Sequence, residues 1–236
     1  PATVNISVVE PEPNELYLSL ENSGYVLADH NDYQNFRDGW GVQTVFKTRA
    51  YSGVLLSKRD GTGKGWELGI RYGKLRFACY DANGFAFDCY SNCKVNIGDW
   101  VYAGVACSAE RMVMQLNVWV DQEPYGDQID IGWADVNVPG LLTDPNRFVC
   151  EADLKIAENY DGSISRTRFF SNVQFNMNWD IAASSVCFPR MSTEETMIGI
   201  GYASRLRWMM NDGSGLTVTE DKTGLDATIY DGDGWH

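Results

Sequence analysis

Three carboxylates stand close together near the middle of the chain, at Glu151, Asp153 and Glu158. Paired carboxylates on one strand face can supply the nucleophile and the proton donor of glycoside hydrolysis. Side chains alternate along a strand, so Glu151 and Asp153 would share a face, whereas Glu158 would point to the opposite one. The spacing therefore argues against a glycoside hydrolase, which we keep as an alternative.

The sequence contains only two histidines, His30 and His236, so few arrangements for histidine-based catalysis are possible. A polysaccharide lyase needs a base such as His or Tyr beside an Arg, Asn or Gln that neutralises a uronate. A Ser–His–Asp or Cys–His arrangement would depend on His30 alone, between Asp29 and Asp32. A loop histidine in such surroundings is typical of a solvated residue, so a lyase also remains only an alternative.

A divalent cation site is a further hypothesis. Asp29 and Asp32, with Glu21 or Asn22, offer the hard oxygen ligands that Ca²⁺ prefers. The same residues also build ordinary turns, because Asp and Asn side chains hydrogen-bond the neighbouring backbone. We predict Ca²⁺ as the only cofactor, at these four residues.

Aromatic side chains in or beside the predicted loops could stack on sugar rings. The candidates are Tyr33, Phe36, Trp40, Tyr125, Trp133 and Tyr160. Packing in the core is the alternative for each of them, and we assign Trp66, Trp100 and Trp119 to the core because they lie in or beside predicted strands.

The six cysteines lack the paired C-x-x-C spacing of a zinc site. Their even number favours disulfides in an oxidising environment. Cys79 and Cys89 flank the apparent hairpin turn around Asn83-Gly84, so they are the predicted pair. Buried free thiols are the alternative, because cysteine packs like a small apolar residue.

The formal net charge of −13 makes nucleic acid and anionic membrane surfaces poor partners. No run of 18 apolar residues predicts a membrane span, and no signal peptide is recognisable. We expect Pro1 to follow removal of an initiator methionine, cleavage by another protease or a cut through a longer chain, the first two of which suit a virion protein.

Short apolar–polar alternating runs, separated by Gly, Asn and Asp, repeat along most of the chain. This pattern is typical of an antiparallel sandwich or barrel. The predicted strands cover 16–20, 42–48, 53–58, 66–72, 74–80, 100–108, 112–120, 148–157, 167–177, 205–210 and 225–230. A capping-box spacing at 192–195 predicts a short helix, and helices are expected only near 179–198.

The order of several short motifs resembles the laminin-G-like domains of the concanavalin A-like lectin and glucanase superfamily. These motifs are GWGVQTVFK over 39–47, LLSK over 55–58, IGDW over 97–100 and LNVWVD over 116–121. The resemblance implies an all-β, antiparallel two-sheet jelly-roll sandwich. Residues 207–229 resemble the opening of such a domain, although here they follow it.

We therefore divide the chain into an N-terminal strand and connector (1–14), a laminin-G-like sandwich (15–200) and C-terminal strands (201–236). The C-terminal strands would complete the sandwich of their own chain or of a neighbour, which would allow self-assembly.

The first functional hypothesis is a non-catalytic recognition or adhesion module that binds a glycan or a protein surface. A structural protein of a virion or another extracellular assembly is the second. Either function predicts an extracellular or virion-surface location.

Overall fold

The computed structural model describes residues 18–20, 24–108, 111–119, 128–137, 144–171, 203–208, 217–218, 220 and 223–230. Within these ranges the chain forms fifteen β-strands and one 3-10 turn at Asp32–Gln34, without an α-helix. No helix in this part of the chain is long and apolar enough to cross a membrane. The helix predicted near 192, and the domain segment 1–14, lie outside the described residues.

Seven strands form the first sheet, in the order β1-β12-β3-β8-β9-β10, with β13 also paired to β12. Their bounds are β1 Leu18–Leu20, β3 Gly41–Thr48, β8 Trp100–Ser108, β9 Arg111–Trp119, β10 Gln128–Asn137, β12 Gly162–Ser171 and β13 Ala203–Trp208. All their pairings are antiparallel.

Eight strands form the second sheet, in the order β14-β15-β2-β11-β4-β5-β6-β7. Their bounds are β2 Tyr25–Ala28, β4 Gly53–Arg59, β5 Gly65–Arg71, β6 Lys74–Asp81, β7 Gly84–Tyr90, β11 Leu154–Ile156, β14 Thr217–Val218 and β15 Ala227–Tyr230. These pairings are antiparallel too. The two sheets confirm the predicted all-β, two-sheet sandwich.

Each sheet directs one face into a shared core. On β6, Leu75, Phe77 and Cys79 belong to the core, while Arg76 and Tyr80 lie on the outer face. Because the side-chain period of a strand is two, this alternation fixes which residues remain on the surface.

The strands predicted over 205–210 and 225–230 correspond to β13 and β15, and both pair within this chain. β13 adds to β12 in the first sheet, and β15 adds to β2 in the second. Trp208 is fully buried, and its indole Nε1 donates to the carbonyl of Leu225 at 3.0 Å. This hydrogen bond joins the end of one sheet to the segment that leads into β15 of the other.

One predicted strand is much shorter than expected. Of residues 148–157 only Leu154–Ile156 form a strand, β11. The preceding backbone is held by side chains instead, since the amide of Cys150 donates to Asn35 Oδ1 at 3.2 Å. Strands β10 and β14 had no counterpart among the predicted strands, whereas β7 is the second arm of the hairpin predicted around Asn83-Gly84.

Candidate functional site

Three of the aromatic residues predicted to contact a ligand lie in the core. Phe36 and Tyr160 are fully buried, and Trp40 is nearly so. Phe36 and Trp40 pack edge to face with ring centroids 5.2 Å apart. That prediction is wrong for these three residues, because a sugar ring cannot reach a side chain enclosed between the sheets.

The structure describes the other three aromatic candidates to different extents. Tyr33 is half-buried against the core, with the Arg205 guanidinium 5.5 Å from its ring. Trp133 lies in β10 with its backbone opposite Gln115, and its side chain is outside the described residues. Tyr125 lies wholly outside them. None of the three is tested as a ligand contact.

The predicted calcium loop carries a protein cation beside it. Lys58 Nζ donates to the carbonyl of Ala152 and contacts His30 Nδ1 at 2.8 Å. Burial lowers the pKa of Lys58 to about 8, against the favourable charges of Cys150, Asp153 and Asp32. The Lys58 ammonium thus disfavours a second cation near Asp32.

Within the described ranges, no three His, Cys, Asp or Glu side chains form a group that could hold a metal ion. Asp29 and Asp32 are described, whereas Glu21 and Asn22 are not. The calcium site stays a prediction, which melting curves with added calcium and with chelator would test.

The side chains considered for catalysis already contact other groups, and the three carboxylates do not lie on one strand. His30 Nδ1 contacts the Lys58 amino group, which takes the lone pair that a general base would use. Asp153 accepts from the backbone of His30 at 3.0 Å, and Glu158 forms an ion pair with Lys155. Glu151 and Asp153 precede β11, so the carboxylates are not aligned on one strand.

The predicted Cys79–Cys89 disulfide is wrong in this structure, where both residues are free thiols. The register places Cys79 opposite Phe87 and Cys89 opposite Phe77, so the two cysteines are diagonal neighbours. Diagonal positions are about 7–8 Å apart, beyond the usual Cα separation in a disulfide. Burial raises the pKa of Cys89 to about 12, which keeps this thiol protonated.

The structure instead exposes a set of apolar side chains that the sequence did not single out. At one end of the sandwich, Tyr51 is 58% exposed, Tyr72 73% and Ile97 43%. They lie on the connections between β3 and β4, β5 and β6, and β7 and β8. We call Tyr51, Tyr72 and Ile97, with Arg71 and Lys94, the Tyr51–Tyr72 surface.

Tyr72 occupies an unfavourable backbone conformation. Tyr72 and Gly73 connect β5 to β6 with successive positive φ angles of 55° and 76°. A type I′ hairpin turn requires positive φ at both central residues, where Asn, Asp and Gly are preferred. Tyrosine is disfavoured there, and such strain often marks a functional position.

Hydrogen bonds between the loops hold this surface in place. Gly73 donates its amide to Tyr51 at 2.9 Å, and Val95 donates to Gly73 at 2.7 Å. Gly98 donates to the carbonyl of Thr48 at 3.0 Å, which ties the third loop to the end of β3. These hydrogen bonds tie the three loops to one another.

The backbone of Gly73 lies between the side chains of Tyr51 and Lys94. A Cβ added at Gly73 would lie 3.2 Å from Tyr51 Cδ1 and 3.5 Å from Lys94 Cδ. The Arg71 guanidinium lies 5.3 Å from the centre of the Tyr72 ring. Aromatic rings and hydrogen-bond donors thus converge on one small area.

The sequence offered one signal for this site. Tyr72-Gly73 separates two alternating runs by two residues, which indicates a two-residue hairpin. Because Tyr72 also continues the apolar alternation after Ile70, it is read as the end of a strand over 66–72. The exposure of Tyr51 and Ile97 depends on how distant loops meet, which residue type alone does not reveal.

Comparison with known proteins finds structures of similar fold. No family model matches the chain, and no curated protein matches it. A structure from Bacteroides ovatus, named as a candidate carbohydrate-binding protein, matches 92% of this chain and 59% of its own at 12% identity, with a TM-score of 0.52.

Two laminin structures are also similar. The LG1-3 region of the laminin alpha2 chain is 13% identical over 64% of this chain and 30% of its own, with a TM-score of 0.49. Domains LG4-5 of the mouse laminin alpha1 chain are 15% identical over 67% of this chain and 44% of their own, with a TM-score of 0.48. The chain thus spans less than two thirds of each of these three structures. The two-sheet antiparallel sandwich is a fold that the chain shares with the Bacteroides ovatus structure.

Proposed function

We propose that this chain is a non-catalytic glycan-binding module and that the Tyr51–Tyr72 surface is its binding site. The observation that carries the proposal is the Tyr72 side chain, which is 73% exposed at a backbone φ of 55°. Neither packing nor turn geometry favours tyrosine at this position. Binding through the ring supplies a reason for its presence.

The chemistry of the surface suits a sugar. A pyranose ring presents an apolar C–H face that stacks on an aromatic ring, while its hydroxyls exchange hydrogen bonds with polar groups. Tyr51 and Tyr72 supply two rings, and Arg71 and Lys94 supply donors. The hydrogen-bonded loops reduce the entropy lost on binding.

The described carboxylates near this surface are engaged in local contacts. Asp99 accepts from Asn96 Nδ2 at 3.0 Å, and Asp161 forms an ion pair with Arg49 at 2.7 Å. Paired groups of this kind favour binding over acid–base chemistry. The fold shared with the Bacteroides ovatus structure supports the same proposal, and an extracellular location is part of it.

A glycan array tests the proposal with wild type and two variants. Tyr72→Asn removes the ring and places a preferred residue at positive φ, whereas Tyr72→Phe keeps the ring. We expect wild type and Tyr72→Phe to bind a shared set of glycans and Tyr72→Asn to lose part of that set. An identical profile for all three proteins would overturn the proposal.

A further inference from the structure

A second cluster of aromatic and charged side chains lies on the outer face of the eight-stranded sheet. In register, Arg59 is opposite Gly65 in β5, Gly65 is opposite Tyr80 in β6, and Tyr80 is opposite Phe85 in β7. In the next row Glu67 is opposite Ala78, and Ala78 is opposite Asp88. We call Arg59, Glu67, Arg76, Tyr80, Phe85 and Asp88 the Phe85 face.

Arg76 organises the charged part of this face. Its Nε donates to Asp88 at 2.8 Å, and its Nη1 forms an ion pair with Glu67 at 3.3 Å. Its Nη2 lies 3.5 Å from the Tyr80 hydroxyl. The Arg76 side chain is only 9% exposed, so the two carboxylates are held in fixed positions.

The aromatic part of the face is built on Tyr80. The Arg59 guanidinium lies 3.8 Å from the centre of the Tyr80 ring, and Arg59 also reaches Glu67 at 3.8 Å. Phe85 packs edge to face on Tyr80 at 6.0 Å and is nevertheless 59% exposed. A rigidly supported phenyl ring is therefore presented to solvent beside the charged network.

We infer that the Phe85 face is a second binding site, for an uncharged sugar residue. Its two guanidinium and two carboxylate groups cancel in formal charge, so the site has no net attraction for an ion. They offer donors and acceptors together, which matches hydroxyl groups that both donate and accept. The exposed Phe85 ring supplies the apolar platform for the C–H face of the sugar.

The aromatic side chains of the two sites lie toward opposite ends of β6, and Arg76 of the Phe85 face stands between them on that strand. Tyr72-Gly73 precedes Lys74, and Phe85 pairs with Tyr80 near the other end. Six residue steps at about 3.3 Å each separate Lys74 from Tyr80, a distance of about 20 Å. One sugar ring cannot span both sites, so we expect each site to bind its own glycan.

The test uses wild type, Phe85→Ser, Tyr72→Asn and the double variant on an array of neutral hexose oligosaccharides and uronic-acid oligosaccharides. Phe85 is exposed, so Phe85→Ser should leave the melting temperature nearly unchanged. We expect Phe85→Ser to weaken binding of neutral oligosaccharides about fivefold or more, including ones that Tyr72→Asn still binds. Glu67→Gln, which keeps the shape of the side chain, should weaken the same oligosaccharides.

The outcomes separate the two proposals. If Phe85→Ser and Glu67→Gln bind every oligosaccharide like wild type, the Phe85 face is not a sugar site, whatever Tyr72→Asn does. If Phe85→Ser loses neutral oligosaccharides while Tyr72→Asn matches wild type, the second site stands and the Tyr51–Tyr72 proposal fails. Loss of the same glycans to the same extent in both single variants would also overturn the inference of a separate site.

Discussion

Lys58 is a fully buried residue whose amino group contacts His30 Nδ1 and the carbonyl of Ala152. Burial lowers its pKa from 10.5 to about 8. Below pH 8 the lysine is charged in the folded and unfolded chains alike, and the folded chain bears the desolvation penalty. Between pH 8 and 10.5 the unfolded chain binds more protons, so this group makes stability rise with pH.

Comparison of wild type with Lys58→Met isolates that contribution, because the buried thiols and tyrosines titrate in both proteins. Methionine has a similar volume and no charge. We expect the free energy of unfolding of wild type, relative to Lys58→Met, to increase by up to about 1.4 kcal/mol per pH unit between pH 8 and 10.5. Urea unfolding at several pH values measures this, and a pH-independent difference would show that Lys58 keeps an ordinary pKa.

Tyr72 is strained by its positive φ, so the stability of its variants reports on the turn itself. Tyr72→Asn should raise the free energy of unfolding by about 1 kcal/mol, because Asn tolerates the left-handed region. Tyr72→Phe has the same backbone restriction and should match wild type. Thermal unfolding compares them, and a lower melting temperature for Tyr72→Asn would mean that the ring contributes to the fold.

Among the strands, β13 lies in the C-terminal part of the chain and pairs with β12 in the first sheet. The last residue of β13, Trp208, is buried. Trp208→Ala should lower the free energy of unfolding by about 3–5 kcal/mol, through lost burial and a cavity. Thr228→Ala, at an exposed position of β15, should change it by less than about 0.5 kcal/mol. Denaturant unfolding decides this, and equal stability of all three proteins would exclude a structural role for the C-terminal strands.

The strands were predictable wherever alternation was clear. The run over 74–80 agrees with β6 because Leu75, Phe77 and Cys79 occupy every second position. The run over 42–48 agrees with β3, where Val42, Thr44 and Phe46 alternate with Gln43 and Val45. β10 escaped prediction because Asp130, Gly132 and Asp135 interrupt its apolar residues and are typical of turns. The fold class therefore followed from the sequence, while individual edge and irregular strands did not.

The aromatic contacts were the least predictable part of the candidate site. Trp40 stands beside a predicted strand and Tyr72 ends one, yet Trp40 is buried between the sheets and Tyr72 protrudes from a hairpin. Residue type cannot separate these cases, since burial depends on which loops meet at the same end of the sandwich. The backbone angle at Tyr72 distinguishes it, and that angle is visible only in the structure.

For the whole molecule, the sandwich is a frame that carries the two proposed binding surfaces on its periphery. The Tyr51–Tyr72 surface lies on connecting loops at one end, and the Phe85 face lies on a sheet toward the other. Loops and outer faces tolerate changes that a close-packed core does not. Function and stability should therefore separate in this protein, as the Tyr72 and Trp208 variants are designed to show.

We propose that Tyr72 is present for binding and not for folding. Isothermal titration calorimetry tests this proposal directly. It compares wild type with Tyr72→Asn, using the oligosaccharide that the array shows to bind most strongly through the Tyr51–Tyr72 surface. We expect the Kd of Tyr72→Asn to be at least about tenfold larger, a loss of roughly 1.4 kcal/mol in binding free energy, in a protein that melts no lower than wild type. The same Kd for both proteins would contradict it.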